Sequence, residues 1–188
     1  MISEMFAHGF IQRAFIGGVL VSLCAALLGV SLVLKRYSMI GDGLSHVSFG
    51  ALSIAIAFGF APIKFSIPIV IIAAFFLLRL AENGKMKSDA AIAMVSASSL
   101  AIGVIVTSLT TGLSTDVCSY MFGSILAMSK DDVIFSVVLS VVVLIMFGFC
   151  YHRIFAVTFD ESFSKATGVK VGMYNTLISI FTAVTVVL

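Results

Sequence analysis

The sequence predicts an all-α protein, a polytopic bundle of membrane-spanning helices, and three observations predict it. Of 188 residues, 61% are hydrophobic and 11% charged, whereas soluble domains run nearer half apolar and a quarter charged. Apolar runs of about 20 residues, the length that crosses about 30 Å of hydrocarbon, recur along the chain. The connectors between them are short and hold most of the charge. Residues 1–188 therefore read as one transmembrane domain, with no room for a second, soluble one. The net charge of +2 is too small to imply a nucleic-acid partner.

Taken in order, the predicted spans are 14–34, 39–60, 65–80, 89–110, 133–150 and 173–188. The first is longer than a signal-peptide core and is followed by no cleavage signal. Connectors KRYS, AP with Lys64, ENGKMKSD, TTGLSTD and SKDD punctuate the spans. Ser88 before Asp89 and Ser129 before Asp131 look like helix N-caps with acidic first turns. Cys24, Cys118 and Cys150 are an odd set without a Cys-x-x-Cys pair, and read as small buried apolar groups.

Lys and Arg set the orientation, because cytoplasmic loops are enriched in them. One side collects Lys35, Arg36, Arg79, Lys85, Lys87, Arg153, Lys165 and Lys170, and the other keeps Arg13, Lys64 and Lys130. The basic side is predicted to be cytoplasmic and the N-terminus outside. The fourth and fifth spans then both meet the outer side, so residues 115–128 cannot cross. They are expected to form a re-entrant or short interfacial helix, and irregular backbone at that depth implies a cavity beside it. The last run, 173–188, ends within apolar sequence without a cap or charge, and the expectation is a chain shortened at its C-terminus.

Two segments could carry function. In GDGLSHVSFG, Asp42 and His46 are four residues apart and share a helix face with Ser45 and Phe49. A carboxylate and an imidazole one turn apart can bind a borderline divalent cation such as zinc, manganese or iron. The same spacing equally suits a hydrogen bond from His46 to Asp42 that fixes helix packing. In TFDESFSKATGVKV, Thr158 followed by Glu161 fits a capping box, Gly168 a helix stop, and Phe159, Phe163 and Ala166 one apolar face. This predicts a short amphipathic helix over 158–168 on the cytoplasmic side. So short a helix needs a partner, either the protein's own bundle, the lipid interface or a soluble subunit. The sequence has no GxxxxGK[ST] phosphate loop, so ATP hydrolysis is not expected in this chain.

At four stretches the sequence resembles the permease subunits of zinc and manganese ABC importers. They are KRYSMIGDGLSHVSFGALSIA, KSDAAIAMVSASSLAIGV, DVCSYMFGSILAMSKDD and FAVTFDESFSKATGVKVGMYN. The resemblance implies a fold like that of the cobalamin and siderophore permeases, with the helix that starts near Asp42 lining the pathway. It implies a plasma-membrane protein that is not itself an enzyme. It pairs with a second permease copy, couples to cytoplasmic ATPase subunits and receives metal from an external binding protein. Asp42 and His46 would be transient ligands of transported zinc or manganese, with no permanently bound cofactor. Phe159, Asp160, Glu161, Phe163, Ala166 and Gly168 would dock on the ATPase. Relatives often carry Pro-Gly where this chain has Gly50 and Ala51. The rival expectations are a membrane scaffold that transports nothing, and a channel or carrier that needs no ATPase.

Overall fold

Backbone amides and carbonyls placed in hydrocarbon must be satisfied within the chain, and a helix does so segment by segment. The computed structural model describes residues 9–37, 39–82, 88–110 and 130–188. Its helices are α1 (Gly9–Leu34), α2 (Ile40–Ala57), α3 (Pro62–Glu82), α4 (Ser88–Leu109), α5 (Lys130–Phe159), α6 (Glu161–Ala166) and α7 (Val171–Val187). No strand occurs among the described residues. The predicted segment 115–128, like Lys85, Lys87, Cys118 and Ser129, lies outside them. Helices α1 to α5 are each long and apolar enough to cross a membrane, and α7 is a shorter apolar helix. Their outward faces carry large apolar side chains such as Val30 and Val33 on α1, Ile72 on α3 and Phe149 on α5. In water such surfaces would aggregate, whereas in lipid they are solvated.

Two cores hold the bundle. Cys24 and Leu28 of α1 meet Val143, Phe147 and Ile154 of α5 and Ile178, Phe181 and Val184 of α7. Ile40, Leu44 and Val47 of α2 meet Val70, Ala74 and Leu77 of α3, Ile92 of α4 and Ala183 of α7. Helix α7 therefore belongs to both. Helix α2 is the most enclosed, with 61% of its span buried against 17% for α1 and α4. It runs unbroken through Gly50 and Ala51. Glycine is needed at 50 for a different reason: an added Cβ would lie 2.8 Å from the Ser99 carbonyl oxygen of α4. At Gly103 of α4 it would lie 2.6 Å from the Phe49 ring. Because lipid supplies no hydrophobic drive between helices, this close approach of small residues is what joins α2 to α4.

These contacts also sort the helix ends. Position 43 of α2 meets 92 of α4, and 50 meets 99, so the two helices run parallel. Lys64, at the start of α3, lies over the Phe135 ring near the start of α5, 6.0 Å from its centroid. The end of α4 and the start of α5 thus share one end of the bundle with the start of α3. At the opposite end sit Lys35 and Arg36 after α1, Arg79 near the end of α3, and Lys165 and Lys170 around α6.

Helices α1, α2 and α6 finish alike. A residue in left-handed conformation follows each, Arg36 at φ 61°, Gly59 at 71° and Gly168 at 81°. Paired backbone bonds then close the last turn, as in Tyr37 N–H to Leu32 O at 2.8 Å and Val169 N–H to Ser164 O at 2.9 Å. One local expectation is corrected here. Thr158 does not cap the short helix, because α5 continues to Phe159 and the Thr158 hydroxyl donates to Ile154 O at 2.7 Å. Asp160 is the cap, its carboxylate accepting from Phe163 N–H at 2.8 Å. Phe159 therefore closes α5, and of the predicted apolar face only Phe163 and Ala166 belong to α6.

Candidate functional site

Asp42 falls in the first turn of α2, where the helix dipole and free N–H groups favour an anion. Within α2 only Asp42 and Ser45 are exposed, His46 is intermediate, and most of the rest is buried. The Asp42 side chain is 65% and that of His46 32% exposed. Ser45 bonds back to Asp42 O at 2.7 Å, so it makes no link to another helix there. One turn further along this face, Phe49 is buried against Gly103. A polar patch thus opens at the start of the most enclosed helix and closes over a tight α2–α4 seam.

His46 Nε2 stands 3.9 Å from Asp42 Oδ2. That is too long for a hydrogen bond, so the packing bond that the spacing also allowed is not made. It is within the span of one bridging ion, since donors about 2.0–2.2 Å from zinc lie at most about 4.4 Å apart. Two donors do not complete a coordination shell. Among the described residues no group of three or more His, Cys, Asp or Glu side chains could hold a metal. Two such donors alone would make a weak, open ligand set for a cation.

The second cluster surrounds α6. Phe159 and Phe163 are exposed, as are Asp160, Ala166 and Gly168, so two apolar rings with Asp160 beside them are presented beyond the ends of α5 and α6. Glu161 points elsewhere. Its Oε1 accepts from Lys35 Nζ at 2.6 Å and from Asn175 Nδ2 at 3.1 Å, and Lys35 Nζ also donates to Asn175 Oδ1 at 2.5 Å. Burial pushes the Glu161 carboxyl up, but hydrogen bonds from Lys35 and Asn175 and the charges of Lys35 and Lys165 outweigh it. Its pKa is lowered on balance. Neither Lys35 nor Asn175 was singled out from the sequence as a partner of Glu161. A signal existed in Asn175, an amide set inside an otherwise apolar run.

Comparison with known proteins gives the family context. The model of the ABC 3 transport family matches residues 7–188. The manganese import system permease protein ScaB of Streptococcus gordonii is 28% identical over 91% of this chain and 61% of its own length. The high-affinity zinc uptake system membrane protein ZnuB of Buchnera aphidicola is 30% identical over 92% of this chain and 66% of its own. The chain thus spans less than two thirds of either relative. Among solved structures, PsaBC from Streptococcus pneumoniae in complex with Fab superposes with a TM-score of 0.81 at 28% identity, covering 100% of this chain and 69% of that one.

Proposed function

The chain belongs to the ABC 3 transport family, and from that premise we propose that it is a membrane permease subunit of an ATP-driven importer of divalent transition-metal ions. The observation that supports the reading is the Asp42–His46 pair, with Nε2 and Oδ2 3.9 Å apart at the open start of the most enclosed helix. Zinc and manganese are both candidate cargo. The relatives include proteins named for each, and a carboxylate with an imidazole suits both.

The basic end of the bundle faces the cytoplasm in this reading, which puts the N-terminus outside. Alternating access then exposes the Asp42–His46 face to each side in turn. A second permease copy would bring a second such pair toward the same route and enlarge the donor set. ATP is hydrolysed in a separate cytoplasmic subunit, which docks on Phe163 and Phe159 with Asp160 beside them. An external metal-binding protein delivers the ion.

Reconstitution with its ATPase subunit in proteoliposomes tests the reading. Zinc or manganese should accumulate only with ATP and with both subunits present. Phe163→Asp should release the ATPase on purification. Accumulation that persists without the ATPase would replace the importer with a carrier or channel.

A further inference from the structure

Helix α6 is only six residues long, too short to hold itself together or in place. Its cap at Asp160 and its stop at Gly168 fix its ends but tie it to nothing else. Besides its direct continuity with α5 and the buried Ser164, what joins it to α1 and α7 is the hydrogen-bonded triangle of Glu161, Lys35 and Asn175. Lys35 directly follows α1, Glu161 opens α6 and Asn175 lies in the second turn of α7. The Lys35 side chain is 5% exposed and Asn175 4%, so two of the three corners are sealed from solvent.

Apolar packing would have held these elements together without charge. The Lys35 side chain is buried but that of Glu161 is 43% exposed, and an ion pair with one exposed partner adds little stability, so stability alone does not explain the lysine here. Hydrogen bonds differ from apolar packing in being directional: they break when their partners slide by an ångström or so. A triangle of them fixes where α6 sits against both α1 and α7. Helix α7 contributes to both cores, so a shift of its first turns reaches the core of α2, α3 and α4, and with it the helix that carries Asp42 and His46.

We propose that Lys35, Glu161 and Asn175 form a brace that passes displacement of α6 into α1 and α7, and so links the ATPase-docking surface to the metal route. All three are positioning residues. The inference rests on the reading of α6 as the docking element, and it gives Glu161 a task distinct from the exposed Phe163 two residues on.

The test uses the permease assembled with its ATPase and metal-binding protein in proteoliposomes, reading metal taken up per ATP hydrolysed. The double variant Lys35→Met, Asn175→Leu replaces two corners with apolar ones and leaves every docking residue in place, so it should still bind the ATPase and hydrolyse ATP at the basal rate. Uptake per ATP should fall at least about fivefold, and the exchanged pair Lys35→Glu, Glu161→Lys should recover part of it. A purely structural role would leave uptake per ATP unchanged, whatever the change in thermal stability. If the double variant fails to assemble, Glu161→Gln takes its place, since it keeps the shape and removes only the charge, and a fall in uptake per ATP is again expected. Wild-type coupling in whichever variant assembles overturns the brace. Wild type run alongside separates the two ideas: no ATP-driven uptake by wild type condemns the functional reading, not the brace.

Discussion

Arg36 occupies a conformation that glycine takes without cost. Its φ of 61° closes the last turn of α1 and directly follows Lys35, whose side chain turns inward to the brace. A non-glycine residue costs about 1–2 kcal/mol in this region, and glycine's extra freedom in the unfolded chain returns part of it. Arg36→Gly should therefore raise stability by about 0.5–1 kcal/mol, read as a higher midpoint of thermal unfolding in detergent. A lower midpoint would mean that the arginine side chain makes a contact worth more than the strain. Glu161 supplies a pH signature. Its carboxyl pKa is lowered in the folded state, so its contribution is full above the unfolded value of about 4.3 and is lost as pH falls through the folded one. The difference in unfolding midpoint between wild type and Glu161→Gln should be greatest near neutrality and vanish in acid. A difference constant with pH would rule out ionisation as its source.

At the scale of elements, the seam between α2 and α4 is set by glycines. An alanine at Gly50 would press a methyl group on the Ser99 carbonyl oxygen. Backbone cannot rotate away as a side chain does, so the two helices must part. Gly50→Ala should destabilise the bundle by about 1–3 kcal/mol, and Gly43→Ala, whose added Cβ would lie 2.5 Å from the Cγ2 branch of the stiff Ile92 side chain, should destabilise it too. Wild-type unfolding midpoints in both variants would show that the seam yields as a whole.

Much at this scale was legible in the sequence, because a stretch of about 20 apolar residues has few alternatives to a spanning helix. The bounds were less so, since hydropathy records where lipid ends but not where the helix does. Helix α5 runs on to Phe159 past the apolar stretch, with the rings of Tyr151, Phe155 and Phe159 packed one turn apart, their centroids 5.8 and 4.4 Å from one another. The extra length moved the cap of α6 from Thr158 to Asp160. Gly168 was readable as a stop because its role is local. The brace was not readable: it joins positions 35, 161 and 175, which only the folded bundle brings together. The Asp42–His46 spacing was readable, but the 3.9 Å separation of their polar atoms was not, because it depends on side-chain rotamers.

For the whole molecule, orientation follows from the distribution of charge between the two ends. A cysteine at Lys64 should react with a membrane-impermeant thiol reagent added to intact cells, and one at Lys170 only after permeabilisation. The reverse pattern would put the α6 surface outside the cell and remove any cytoplasmic ATPase from the account. Both ends matter, because docking at one and delivery of metal at the other are what ATP-driven import requires.

In the proposed function the Asp42–His46 face meets the transported ion. Uptake of labelled zinc and manganese by cells carrying wild type, Asp42→Asn or His46→Ala at equal membrane levels tests it most directly. At least about a tenfold loss of uptake in each variant, with unfolding midpoints unchanged, is the result predicted. Wild-type uptake in both variants would contradict it.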